Sequence, residues 1–353
     1  MKKNKKIVFI TPYLLDVTRG IERFCLNLAD AMVKQGVEVI FYTWGQKHEN
    51  PCGEINPNIK IRKVPYFRYY RDQFASFWYR LWLNIDSPDA TLLNFFYHGE
   101  EFLPKDGHYL YVLHSPASQI RNRYEYVQPL IAKFTNIHVV AISKLVEDDA
   151  KPYFAGKPMS LIYNGTDTEI FKPLADKPKS ERLRIITPAA YEERKGMHWI
   201  INALADFKYR DRIQYDIYGS GSEEYGNYLK KIIKTNHLED VVTLMGSVTN
   251  IPEIEPHYDL FALPSKGEAF ALSPIEAMAC GLPILVSTCL PYPEFVKDDF
   301  GFMVNRENPK EIQQVLTRLI ENPDLLQRMS VAARKRSEDF SWNKIVEQYI
   351  KLI

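Results

Sequence analysis

Residues 6–42 read KIVFITPYLLDVTRGIERFCLNLADAMVKQGVEVIFY. The short apolar run at 6–10, ending at Thr11-Pro12, suits a buried strand. From 20 to 35, Ile21, Phe24, Cys25, Leu28, Ala31 and Met32 recur at the three- and four-residue spacing of one helix face, and Gly36 closes that helix. Val37 to Tyr42 is a second buried strand. Strand, helix, strand within about 37 residues is a βαβ unit, and such a unit requires a parallel sheet.

The same alternation runs outward along the chain. YLYVLH (109–114) and NIHVVAIS (136–143) read as strands, and the helix after the second is capped by Ser143. Lys172-Pro173 and the polar stretch to 183 read as a linker. Beyond it the alternation restarts: LRIITPA (183–189), IQYDIYG (213–219), VVTLMG (241–246), LFALPS (260–265) and PILVST (283–288) as strands, with helical segments between them and helix from 309 to 353. Two successive doubly wound α/β units follow, with expected bounds of 1–172 plus 341–353 and 173–340. Ligands of such sheets bind at the carboxyl ends of the strands, and domain interfaces favour pockets.

Composition bounds the function. The chain has 353 residues, room for about two domains. Hydrophobic residues at 46% and charged residues at 25% exclude a disordered, collagenous or coiled-coil chain. Lys plus Arg number 45 against 44 Asp plus Glu, which argues against a bulk-cationic nucleic-acid binder. Cys25, Cys52, Cys280 and Cys289 show no metal-ligand spacing and read as reduced thiols in a cytoplasmic protein. The apolar run after the basic N-terminus is too short for a signal peptide, and no stretch approaches the ~20 apolar residues of a membrane span. Asn164-Gly165-Thr166 matches the glycosylation pattern by chance on this reading.

The most informative stretch for chemistry is Glu268-Ala-Phe-Ala-Leu-Ser-Pro-Ile-Glu276, continued by AMACGLP. Ser273-Pro274 reads as N-cap and first residue of a helix, with Glu276 completing a capping box. A helix N-terminus offers free N–H groups and a positive dipole end to an anion. The residues alone fit a phosphate on the N–H groups of Leu272 and Ser273, with Glu276 and Glu268 accepting from ribose and sugar hydroxyls. They fit an ordinary capped helix with a surface glutamate as well.

This E-x7-E block resembles the donor-site motif of the retaining glycosyltransferases of family 4, whose GT-B fold sets two doubly wound Rossmann-like domains around a central cleft. TRGIERFCLNLADAMVKQGVEV resembles that family's first glycine loop and helix. LHSP (113–116) resembles its catalytic-histidine segment, and AISK (141–144) with IYNGTD and FKP (162–173) the end of its first domain. ERKG (193–196) resembles its phosphate-binding Lys-Gly, and YGSGSE (218–223) its glycine turn. The likeness covers about 7 to 345.

The resemblance implies a transfer from a UDP- or GDP-linked sugar to a hydroxyl of a glycan or lipid-linked acceptor, with the α-configuration kept, in cell-surface polysaccharide or glycoconjugate synthesis. It makes His114, Glu268 and Lys195 catalytic. His114 would sit beside the anomeric carbon, Glu268 would hold hydroxyls of the transferred sugar, and Lys195 would neutralise the diphosphate. Glu276 would bind ribose, and Leu272 and Ser273 the diphosphate. Ala269, Phe270 and Ala271 would complete the donor loop, and Gly20, Arg194 and Gly219 would line the donor. Charge developing on the leaving phosphate is met by fixed cations and N–H donors, so neither a metal ion nor another cofactor is expected. The donor's own phosphate oxygen would take the acceptor proton.

Two departures stand out. The family places Gly-Arg about five residues before its Lys-Gly, where this chain has Ala189-Ala190, leaving Arg194 as the candidate replacement. Arg19-Gly20 stands where Gly-Gly is common. His98, His108 and His138 read as structural or solvated. The segment 66–83, rich in aromatics with Arg68, Arg71 and Arg80, has three open readings: a core helix with a charged outer face, an acceptor-binding wall, or a peripheral membrane contact at the inner face. Alternatives to transfer are a GT-B nucleotide-sugar epimerase and a catalytically silent nucleotide-sugar-binding subunit.

Overall fold

The computed structural model of the chain describes residues 4–12, 14, 20–44, 55–65, 71–94 and 103–353, with residues 71–73 described in backbone alone. The first compact unit comprises Met1–Gly165 and Trp342–Ile353, and the second Thr166–Ser341.

In the first unit the chain runs β1 (Lys6–Ile10), α1 (Gly20–Lys34), β2 (Glu38–Trp44), β3 (Lys60–Val64), α2 (Arg71–Asp86), β4 (Ala90–Leu93), β5 (His108–Leu113), α3 (Arg121–Ile131), β6 (Asn136–Ala141), α4 (Lys144–Ala150) and β7 (Met159–Leu161). The strands form one parallel sheet in the order β3-β2-β1-β4-β5-β6-β7. Strand order therefore reverses at β1, and the β1/β4 edge is the topological switch point where such sheets bind ligands. β1, β2 and β5 are apolar almost throughout and buried on both faces, as a parallel sheet covered by helices demands. Ser143 caps α4 as its position suggested, its side chain accepting from the N–H of Val146.

The second unit repeats the plan: β8 (Leu183–Pro188), α5 (Met197–Leu204), β9 (Ile213–Tyr218), α6 (Glu223–Thr235), β10 (Val242–Gly246), α7 (Ile251–Ile254), β11 (Leu260–Leu263), α8 (Leu272–Ala279), β12 (Ile284–Ser287), β13 (Gly301–Val304), α9 (Pro309–Glu321) and α10 (Pro323–Ser337). The parallel order is β10-β9-β8-β11-β12-β13, with its switch point between β8 and β11.

The division falls at Gly165, ahead of the 173–183 stretch read as a linker. Residues 166–171 are held by the second unit itself. Thr166 donates its N–H to Phe340 O, Phe171 is buried, and Arg334 Nη1 donates to the carbonyls of Thr168, Phe171 and Ala279 at 3.1, 3.1 and 2.9 Å. The last helix, α11 (Trp342–Leu352), packs on α1 of the first unit, with Trp342 and Tyr349 against Phe24. Lys5 Nζ donates to Ile350 O and Gln35 Nε2 to Asn343 O.

Candidate active site

The second unit gathers its candidates at the β8/β11 switch point. After β8 the chain makes a single 3₁₀ turn, Glu193–Lys195, closed by Gly196 at φ 77°. A β-carbon at Gly196 would meet Pro264 O at 2.2 Å, so only glycine lets this turn lie against the end of β11. Lys266 N then donates to Arg194 O at 2.6 Å, tying the turn to the loop that carries Glu268.

Glu268 is 6% exposed. Its Oε1 accepts from Lys195 Nζ at 2.8 Å, and its Oε2 from Arg194 Nη1 at 3.2 Å. Arg194 Nε also reaches Glu192 at 2.6 Å. Burial pulls the Arg194 guanidinium down, but the charges of Glu268 and Glu192 outweigh it and hold its pKa above the ordinary value. Adjacent side chains often diverge, yet Arg194 and Lys195 converge on one carboxylate.

Phe270 is buried against Phe295 and Phe340 and anchors the loop between Glu268 and α8, with Ala269 half-buried beside it. The helix start differs from the expected capping box. α8 begins at Leu272, so Ser273 and Pro274 lie inside the first turn, and the N-cap is Ala271 at φ 58°, a conformation that L-residues rarely adopt. No side chain caps the helix. The N–H groups of Leu272 and Ser273, both half-buried, belong to the first turn, whose donors have no partner within the helix. Glu276 is half-buried one turn further on.

Gly219 follows β9 at φ 152°, and a β-carbon there would meet Ala189 O at 2.0 Å. The close crossing of two backbones is reason enough for glycine at that position. Ala189-Ala190 therefore follows β8 with no cation of its own, and the neighbouring Arg194 contacts Glu268.

In the first unit, Gly20 opens α1 exposed to open space, and Arg19 lies outside the described residues. His114 follows β5 and its Nε2 is 2.7 Å from Asn94 Oδ1. The residue keeps some exposed surface, yet its ring sits deep, and burial lowers its pKa to about 3. His108 and His138 bond Asp89 O and Ser160 Oγ, and His98 is outside the described residues. Asn164 and Thr166 are buried. Cys25, Cys280 and Cys289 are free thiols, and Cys52 lies outside the described residues. Among the described residues no three His, Cys, Asp or Glu side chains are grouped to hold a metal ion, and no helix is long and apolar enough to cross a membrane.

Of segment 66–83, residues 66–70 are outside the described set and Arg71 is described in backbone only. α2 buries Ala75, Tyr79 and Leu83, while Phe74, Phe77, Leu81 and Ile85 are exposed at helical spacing. Among the described side chains the outer face is thus largely apolar, with Arg80 exposed on it.

Sequence reasoning missed Asn94, and it placed Ala271 in the donor loop without its positive φ. Neither residue type carries a signal for its role outside the folded context.

Together these features define a doubly wound α/β protein of two units, with a carboxylate held by two cations beside an uncapped helix at a strand switch point. The family described as "Glycosyl transferases group 1" matches residues 169–336, and "Glycosyltransferase Family 4" matches residues 18–170. The chain belongs to the group 1 glycosyltransferases of family 4 type. An uncharacterized glycosyltransferase of Haemophilus influenzae is 35% identical over 135 residues, so this chain spans 38% of that relative's length, and 38% of this chain is matched. An uncharacterized glycosyltransferase of Methanocaldococcus jannaschii is 23% identical over 95% of this chain and 93% of its own. Among solved structures, a glycosyltransferase from Rickettsia africae ESF-5 has a TM-score of 0.82 at 18% identity, covering 99% of this chain and 97% of that one. Anabaena HepE in complex with UDP and glucose has a TM-score of 0.77 at 18% identity, with 99% of each chain covered. These likenesses show the GT-B fold.

Proposed function

We propose that this glycosyltransferase moves a sugar from a UDP- or GDP-linked donor to a hydroxyl of a glycan or lipid-linked acceptor, retaining the anomeric configuration and using no metal ion. The observation that carries the reading is the triad of Lys195, Arg194 and the nearly buried Glu268 beside the uncapped start of α8. Two cations and free N–H groups suit a diphosphate, and a carboxylate suits sugar hydroxyls. The complex of HepE with UDP and glucose supports a nucleotide-sugar donor.

In the donor-free protein the two cations neutralise Glu268. An arriving diphosphate competes for Lys195 and Arg194 and releases the carboxylate to the hydroxyls of the transferred sugar. Leu272 and Ser273 donate to the diphosphate, Glu276 binds the ribose, and charge on the departing phosphate is met by groups already in place. The leaving phosphate oxygen takes the acceptor's proton, and His114 contacts the reacting sugar. The role we assign is in surface polysaccharide or glycoconjugate synthesis on the cytoplasmic side.

The exposed stripe on α2, with Phe77 at 60% and Ile85 at 61%, supports a peripheral lipid contact that would bring a lipid-linked acceptor to the enzyme. The test of the reaction class is the linkage itself. With an α-linked donor, NMR of the product should show an α-glycoside and unchanged turnover after chelation. A β-glycoside, or activity abolished by a chelator and restored by a divalent ion, would contradict it. Free epimerised sugar formed without acceptor would identify the epimerase instead.

A further inference from the structure

The first unit carries its own cluster at its switch point. Asn94 follows β4 and is 4% exposed. Its Nδ2 donates to Cys25 Sγ on α1 at 3.1 Å, and its Oδ1 lies 2.7 Å from His114 Nε2 at the end of β5. Thr11 Oγ1, just after β1, donates to the same sulfur at 3.7 Å. Phe24 meets the His114 ring edge-on, with centroids 4.9 Å apart.

The orientation of the Asn94 amide decides the tautomer, since a turned amide taking an S–H from Cys25 would offer its own N–H to the ring instead. Cys25 takes up the amide N–H, so the ring faces the amide oxygen. That oxygen can only accept, so Nε2 must carry the proton. A neutral imidazole holds one ring proton, which leaves Nδ1 as a lone-pair acceptor. Among the described residues Nδ1 has no hydrogen bond. The ring lines a cavity together with Ile21 of α1, Asn94, Ser115, and Arg123 and Tyr124 of α3. Its titratable neighbours there are Cys25, Arg123, Tyr124 and Tyr111. Burial, which keeps the ring neutral, acts in the same direction.

We infer that Asn94, backed by Cys25, is a positioning residue that locks His114 in the Nε2–H tautomer and presents Nδ1 as an acceptor to a hydroxyl in the reacting complex. The catalytic consequence rests on the proposed function, whereas the tautomer does not.

The tautomer is read directly by long-range ¹H–¹⁵N correlation on the full chain labelled at histidine, with His114→Gln assigning the resonances. The expected result at pH 7 is a protonated Nε2 and a bare Nδ1. An Nδ1–H tautomer, or a ring that titrates near the ordinary value of about 6.5, would overturn the inference. Asn94→Asp keeps an oxygen acceptor and should keep the tautomer. Asn94→Leu should give mixed tautomers and cut kcat by about ten- to a hundredfold with donor KM nearly unchanged. Should that variant not fold, Cys25→Ala serves instead, because it frees the amide to turn over and should also mix the tautomers. An unchanged Nε2–H ring in either folded variant removes the positioning role. A correct tautomer in a protein that transfers no sugar would sink the proposed function alone, and transfer by an Nδ1–H ring would sink this inference alone.

Discussion

Replacing Glu268 by alanine separates the two jobs given to the Lys195–Arg194–Glu268 triad. With an effective dielectric of about 20, Coulomb attraction at the observed 2.8 and 3.2 Å is roughly 6 and 5 kcal/mol gross. The net worth is far smaller. Arg194 is 48% exposed, so its pair is discounted to about 1 kcal/mol or less, while Lys195 at 15% is the stronger partner at about 1–2 kcal/mol. A diphosphate that must displace Glu268 from both cations loses about that amount. Free UDP or GDP should therefore bind the Glu268→Ala protein as tightly as wild type or up to roughly a hundredfold more tightly. Transfer should collapse. Two hydrogen bonds from sugar hydroxyls to a charged group, at about 1.5–3 kcal/mol each, correspond to a loss of roughly 10²–10⁴ in rate. Calorimetry with the nucleoside diphosphate and a turnover assay on the same preparation read both numbers. Glu276→Ala is the control and should weaken nucleotide binding. If Glu268→Ala binds nucleotide more weakly than wild type while still folded, or transfers sugar at a near-normal rate, the exchange of partners is wrong.

Three further outcomes follow from particular side chains. Glu255 is fully buried, its Oε1 lacks a hydrogen-bond partner, and burial, followed by the charge of Glu276, raises its pKa well above the usual range. The folded protein keeps this proton after the unfolded chain loses it, so stability drops as pH rises above about 4.5. In Glu255→Gln that loss should vanish, with the melting-temperature advantage over wild type growing from pH 5 to pH 8. Parallel pH curves for the two proteins would show that Glu255 ionises normally. Ala271→Gly should relieve the left-handed backbone at the start of α8 and raise stability by about 0.5–1 kcal/mol, a melting shift of about 1–4 °C. A lower melting temperature would mean the constraint lies elsewhere. Phe77→Asp with Ile85→Asp should abolish sedimentation with anionic lipid vesicles while leaving nucleotide binding intact, and unaltered sedimentation would remove the lipid contact.

The βαβ unit at 6–42 was legible because its periods change from buried strand to amphipathic helix and back within one stretch. β3, with the sequence KIRKV, and the short β4, β7 and β13 were not read as strands. β3, β7 and β13 lie at sheet edges, where half-buried side chains relax the apolar pattern. The ERKG turn was legible as a phosphate-side segment, but its approach to Pro264 depends on a contact distant in sequence. Ser273-Pro274 has the residue types of a cap and first turn, yet the backbone turns helical earlier, at Leu272, because the loop is pinned by Phe270 in an aromatic cluster. Local propensity cannot see that anchor. Asn94 was invisible for a related reason. Its partners, Cys25 and His114, come from two other elements and meet only at the switch point of the folded sheet.

Sugar transfer from a nucleotide donor is read by nucleotide release from a panel of UDP- and GDP-sugars with and without glycan or lipid extract. Release of UDP or GDP should depend on one donor and on added acceptor, and should disappear in Glu268→Ala. Donor binding with no release, unchanged by any acceptor, would contradict it and leave a protein that holds a nucleotide-sugar without passing the sugar on.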